Sequence, residues 1–336
     1  MNDFQREKEV VLNHYQALEH ASVAELEAVF TASLSPDCLW RGYHPFYEHR
    51  GPRDIAGSFW ASYKRSFSRM QRRQDIFFAG RNEMDGFASV WVVSMGHLLG
   101  LFDADWLGIP ATCKMAMLRY CEFNRIEDGR IAETAMYFDV PHLMMQAGLN
   151  PFPHATAIHM VQPGPVTHAG LCYDRQDSAE GEKTLQAINA MISGLGNWDN
   201  ALSLEEELAL AWHDDMIWWG PTGIGATYTI ERYAKQHSGP FRAAFSDRVF
   251  NGHVARLAEG ECGGFFGWPN LTMTLSGEFM GYPANGKRAD MRVIDIYRRD
   301  GDKLAENWIF IDLLHFWHQH GIDILGDITG HSGASN

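Results

Sequence analysis

The chain has no apolar run long enough to cross a bilayer. Its longest, "SVWVVSMGHLLGLF", is interrupted by His97 and falls short of the roughly 20 residues a spanning helix needs. It opens on "MNDFQREKEVV", which is charged and without an apolar core, so no secretory leader is expected and a cytoplasmic location is. Basic residues are scarce: 28 Lys and Arg stand against 42 Asp and Glu, a net charge of −14 that repels phosphate backbones and anionic lipid. Nucleic acid and membranes are therefore excluded as expected partners. The five cysteines, Cys38, Cys113, Cys121, Cys172 and Cys262, are scattered and show no CxxC spacing, so neither a disulfide framework nor a zinc site is indicated. There is no serine elbow and no P-loop, and "GPTGIGATY" lacks the spacing of a dinucleotide fingerprint. No cofactor is expected.

What is present is length, apolar content and an internal repeat. With 336 residues, 46% of them hydrophobic and 12% aromatic, the chain supports two domains. Glu133 and Glu306, Asp139 and Asp312, His142 and His315, Gln146 and Gln319, and Gly148 and Gly321 are each 173 positions apart. From Gly108 to Gly148 this offset gives 13 identities over 41 positions, including Arg119 with Arg292. Upstream the offset becomes 178, pairing "DCLWRG" with "DMIWWG". A change of offset between strands is an ordinary loop insertion.

Each copy begins with helical spacing, passes through a short strand ending in Trp-x-Gly and a further helix, and ends in a run of strands. Helices followed by an antiparallel meander predict an α+β fold with helices covering one face of a curved sheet. The predicted organisation is a first domain over 1–150, a Pro- and Gly-rich linker over 151–183 and a second domain over 184–330.

The second copy carries Gly281, Pro283, Ala284, Gly286, Lys287, Glu306, Trp308, Asp312, Gln319 and Gly321. Over these residues it resembles the SnoaL-like polyketide cyclases of the nuclear transport factor 2-like superfamily. The first copy departs, with Cys113 at the position of Gly286 and Ala135 at that of Trp308. The resemblance implies two tandem cone-shaped α+β barrels, each a curved sheet wrapped by helices around a pocket. Members usually pair through the outer face of the sheet, which implies an internal pseudo-dimer, with room for further homodimerisation. A small hydrophobic, polyketide-like carbonyl compound is the implied ligand.

Glu306, Trp308, Phe310 and Asp312 have equal parity on a strand and share a face. If that face lines the pocket, a desolvated Asp312 suits proton transfer. In the resembled cyclases the matching Asp is the acid/base of a cofactor-independent ring closure, which implies a lyase- or isomerase-type enzyme. Arg292 or His253 then serves as oxyanion partner. Glu306, Trp218, Trp219, Trp268, Trp308 and His237 form the expected walls. The first-copy counterparts are Asp139, Arg119, Glu133, His97 and Trp40. Asp290 and Arg292 also share a face, and with Asp312 they resemble the Asp–Arg–Asp cluster of limonene-type epoxide hydrolases, an alternative activity. A third reading is a non-catalytic ligand-binding or scaffold protein.

Structural roles compete for the same residues. Asp312 before "LLHFWHQH" and Gly321 after it bound a short helix, as do Asp139 and Gly148. Arg119 with Glu133, and Arg292 with Glu306, fit a recurring ion pair. The run "HFWHQH" places His315 and His318 three apart with no companion carboxylate, so no metal is expected.

Overall fold

The computed structural model describes residues 4–195 and 202–331; residues 1–3 and 196–201, which fall within the predicted 1–150 and 184–330 domains, lie outside the described residues. The first half runs α1 (Gln5–His20), α2 (Leu26–Ser33), β1 (Leu34–Gly42) and β2 (Tyr47–Arg50). It continues through α3 (Pro52–Ile55) and α4 (Ala61–Ser66), joined by one π-helical turn, to β3 (Phe67–Arg81), β4 (Val90–Phe102), β5 (Met115–Glu127), β6 (Arg130–Phe138) and α5 (Val140–Gln146). Helix α1 presents Val11, Tyr15 and Leu18 at helical spacing to the core. The strands form one sheet in the order β2-β1-β6-β5-β4-β3. It is mixed rather than wholly antiparallel, because β1 returns to lie parallel to β6.

The second half repeats the plan. Helices α6 (Ser178–Leu195) and α7 (Leu204–Ala209) precede β7 (Trp212–Trp219) and β8 (Ala226–Tyr228). Helices α8 (Ile230–Tyr233) and α9 (Gly239–Ala244), again joined by a π turn, lead to β9 (Phe245–Phe250), β10 (Ala255–Glu259), β11 (Cys262–Leu275), β12 (Arg288–Asp300), β13 (Lys303–Ile311), α10 (Leu313–Gln319) and α11 (Ile324–His331). Its sheet order is β10-β11-β12-β13-β7-β8, with β9 also on β11, so the first half's edge strand β3 is here divided in two. The 151–183 segment is laced to both halves. Ile158 bridges Ala226, Pro163 accepts a hydrogen bond from Trp308 Nε1, Leu171 bridges Phe77, and α6 already begins at Ser178.

The first cone is filled. Phe59 stacks on Phe138 and Tyr63, Tyr63 stacks on Phe67, and Phe67 stacks on Phe102, with centroids 4.3–5.3 Å apart. Beside this column, Arg72 and Glu122 form a buried ion pair at 2.7 Å. The guanidinium is 3.6 Å from the Tyr15 ring centre and 4.5 Å from that of Tyr120.

The outer faces of the two sheets pack on each other. Phe266 meets Trp91 and Phe123, and Trp268 meets Tyr137, whose hydroxyl donates to Gly267 O at 3.2 Å. Two aspartates clasp the halves reciprocally. Asp139 caps α5 through His142 N at 3.0 Å and accepts Thr222 N of the second half at 2.9 Å. Asp312 caps α10 through His315 N at 3.2 Å and accepts His44 N of the first half at 3.1 Å. His44 and Thr222 are themselves equivalent at the offset of 178. A further buried pair, Lys8 to Glu259 at 2.7 Å, ties α1 to β10.

Removing either clasp carboxylate leaves two buried amides without an acceptor. Asp139→Ala and Asp312→Ala are each expected to cost about 2–4 kcal/mol in urea unfolding; losses below about 0.5 kcal/mol would rule the clasp out. Arg72→Met strands a buried carboxylate and is expected to cost about 3–5 kcal/mol. Combining it with Glu122→Gln should recover most of that loss in the same measurement.

Candidate active site

The shared face of Glu306, Trp308, Phe310 and Asp312 turns out to be the outer one. Phe310 lies under the Arg119 guanidinium of the first half at 3.8 Å, and Glu306 accepts Val166 N of the connecting segment. Trp219 and Trp268 also lie at this junction rather than on a pocket wall, as their contacts with Arg119 and Tyr137 show. Parity sorted these residues correctly, but it does not say which face is concave.

Three expected pairings are corrected with it. Glu306 pairs with Arg298 at 2.5 Å, not with Arg292, because Arg298 is the residue directly opposite it on β12. In the first half Glu133 likewise pairs with Arg125, its neighbour on β5, and with Arg41 rather than with Arg119. The Asp290–Arg292–Asp312 cluster does not assemble: Asp290 accepts the Thr272 hydroxyl at 2.6 Å, and Arg292 stacks on Trp268 at 3.7 Å with its Nη1 3.9 Å from Asp312. Asp312 itself is 0% exposed, and both oxygens are held by amides. Burial pushes its carboxyl up to about 7, opposed by Arg292 and the two amides. His97 sits on the outer face, with Nδ1 3.3 Å from Asp75. Of the first-half candidates only Trp40 points into its cone, against Phe59.

The concave face of the second half carries different groups. Asp295 on β12 lies opposite Ile309 on β13 and Phe265 on β11, while Tyr297 lies opposite Asn307, which in turn lies beside Trp218 on β7. Asn307 Nδ2 donates to Asp295 Oδ1, and the Tyr297 hydroxyl donates to the same carboxylate. From the helical side, His237 stacks on Trp218 at 4.0 Å and Tyr233 packs against both. His253, between β9 and β10, stacks on Phe265 at 3.9 Å. Of the expected walls, Trp218 and His237 are therefore in place, with His253 beside them.

Asp295 is the residue that the sequence reading missed. It occupies the position of Glu122 at the 173 offset, so each copy has a carboxylate here. In the first cone Arg72, opposite Leu98 on β4, neutralises Glu122. In the second, the residue opposite the equivalent Leu271 is the apolar Phe250 rather than an arginine. Burial pushes Asp295 up to about 7; the hydrogen bonds from Asn307 and Tyr297, and the charge of Arg119 behind the sheet, only partly offset it. His237 and His253 are driven down to about 3 by burial and are neutral. Nδ1 of each, and the Thr227 hydroxyl, have no hydrogen-bond partner among the described residues. The second cone is also less completely filled. Asp295, His237, Phe265 and Ile309 retain 7, 8, 6 and 9% accessibility, whereas their first-half counterparts Glu122, Phe59, Ser94 and Met136 retain 3, 0, 0 and 0%. The acidic pair was legible as a conservative exchange inside the repeat, a signal that counting identities passes over.

Among solved structures, a SnoaL-like protein from Jannaschia sp. CCS1 is 17% identical, with a TM-score of 0.35 over 43% of this chain and 91% of its own. An NTF2-like protein from Burkholderia xenovorans LB400 is 13% identical, with a TM-score of 0.34 over 41% of this chain and 96% of its own. One from Anabaena variabilis ATCC 29413 is 14% identical, with a TM-score of 0.31 over 39% and 90%. No curated protein matches the sequence. The model of the SnoaL-like polyketide cyclase family matches residues 207–320, the stretch from α7 through α10 that carries Asp295, Tyr297, Asn307 and His237. Over residues 207–320 the chain is therefore similar to the SnoaL-like polyketide cyclases.

Proposed function

We propose that the chain is an internal pseudo-dimer of two duplicated domains, over 1–150 and 184–330. In this reading the second cone is a cofactor-independent acid/base site for a small hydrophobic carbonyl compound. The observation that carries it is the unequal treatment of one repeated carboxylate: Glu122 is neutralised by Arg72, while Asp295 is held only by Asn307 and Tyr297 among aromatic side chains, its carboxyl pushed by burial up to about 7. A base poised near the working pH combines a substantial ionised fraction with useful basicity. Ionised Asp295 takes a proton from the carbon next to a carbonyl. The oxygen that gains charge is met by the Tyr233 hydroxyl or by neutral His237 as hydrogen-bond donor. The carbanion then either takes the proton back at another carbon, an isomerisation, or adds to a second carbonyl, whose alkoxide receives the proton from Asp295. The aromatic lining of Trp218 and Phe265 suits a flat apolar substrate.

The epoxide hydrolase alternative loses its support with the Asp290–Arg292–Asp312 cluster. The scaffold reading keeps a place for the first half, whose cone is filled by its own rings.

The test is exchange of α-hydrogens for deuterium in a panel of small hydrophobic ketones and 1,3-diketones, followed by proton NMR. Wild-type exchange should rise with pH through a midpoint near 7, and Asp295→Asn should lower it by about 10²-fold or more. Asp312→Asn, where folded, should retain most of it; equal loss in both variants would overturn the assignment. Stability supplies a second readout. A carboxyl raised from its ordinary value to about 7 contributes stability that is fully present below about pH 4 and lost as pH rises through 7. Asp295→Asn should therefore gain stability relative to wild type across that window in denaturant titrations.

A further inference from the structure

The two halves close one backbone position differently. Where β1 leaves β6 in the first half, Tyr43 N donates to Met136 O at 3.3 Å. The position equivalent to Tyr43 is Pro221, which has no N–H to give, and the position equivalent to Met136 is Ile309. Ile309 O is served instead from the other half: Arg119 Nη1 donates to it at 3.0 Å, and Arg119 Nη2 donates to Trp219 O at 3.1 Å. Arg119 is buried, with its guanidinium 3.8 Å over the Phe310 ring. Ile309 is the residue directly opposite Asp295, and Trp219 follows Trp218. One side chain of the first half thus pins the two strands that form one wall of the second cone.

The arrangement is not reciprocated. Arg292, the counterpart of Arg119, stacks on Trp268, and its Nη1 has no hydrogen-bond partner among the described residues. The carbonyl it would serve, Met136 O, already has Tyr43 N. In the first cone the equivalent acid, Glu122, is held by Arg72.

We propose that Arg119 is a positioning residue for the acid/base site of the opposite half, holding the β7–β13 seam behind Asp295 and setting the charge that its carboxylate meets through the sheet. This rests on the reading of Asp295 given above. Burial lowers Arg119 only to about 10, so it is cationic at neutral pH. Its charge favours ionised Asp295. Losing that charge moves the titration of Asp295 to higher pH, and losing the fork frees the seam.

The experiment uses the full chain with carboxyl-labelled aspartate, the Asp295 signal being assigned by its disappearance in Asp295→Asn. The carbon-13 titration of Asp295 is compared in wild type, Arg119→Lys and Arg119→Met. Arg119→Met should move the midpoint upward by about 0.5–1 pH and Arg119→Lys should leave it near wild type. Ketone exchange at pH 6 should fall several-fold in Arg119→Met. A purely structural role would lower the melting temperature of both variants without moving the midpoint, and that result overturns the proposal. Should Arg119→Met fold poorly, Pro221→Ala in the same chain returns an amide to the seam. The double variant should recover folding and keep the displaced midpoint; a midpoint back at the wild-type value also overturns it. If Asp295→Asn leaves exchange intact, the acid/base reading fails, while the carboxyl titration still decides the role of Arg119.

Discussion

The packing of one curved sheet's outer face on the other's governs the rest of the molecule. Each outer face brings an aspartate to a place where a helix must start and an opposing loop must dock, so one carboxylate accepts two amides from two halves. A buried amide without an acceptor costs more than an ordinary hydrogen bond contributes, so these contacts fix the relative placement of the halves more strictly than apolar packing alone. Once the outer faces are committed in this way, Glu306, Trp308 and Phe310 cannot line a pocket. Only the concave faces are left free of the junction.

Three buried carboxylates show how environment, rather than residue type, sets a role. Glu122 meets a guanidinium at 2.7 Å. Asp312 meets two amides, with Arg292 at 3.9 Å, and Asp295 meets one amide side chain and one phenol. Burial raises Asp312 and Asp295 alike to about 7, so a perturbed titration does not by itself separate a clasp from an acid/base. Geometry does. Both oxygens of Asp312 are consumed in the contact between the halves, whereas Asp295 lies on the concave face, held by side chains of its own half.

The same contrast explains what could be read from the sequence. The repeat, the α+β plan and the two helix caps were legible because they rest on Asp, Gly and Pro at turns and helix ends, where a local rule dictates the residue. The mixed character of the sheets was not, since a parallel partner for β1 follows from where the chain returns and leaves no local pattern. Nor was the identity of the concave face: alternation shows that Glu306 and Asp312 point together, but β13 is buried on both sides and offers no exposed side to mark solvent. Residues identical between the copies, such as Asp139 with Asp312, hold the two halves together. The candidate chemistry lies where the copies differ around a similar group, with Glu122 exchanged for Asp295 and Arg72 for Phe250.

The two halves fill their cones differently. Phe59 and Ile55 fill the first cone where His237 and Tyr233 stand in the second, and Arg72 pairs with Glu122 there. The outer face of the first half supplies a donor that the second half lacks. Pro221 cannot donate at the seam beside Ile309, and Arg119 reaches across to do so with a permanent charge that a backbone amide would not bring. An amide would have satisfied the carbonyl equally well. In the proposed reading a cation also acts on the Asp295 carboxylate through the sheet, and the loss of one N–H in the second half and the placing of one guanidinium in the first form a single arrangement.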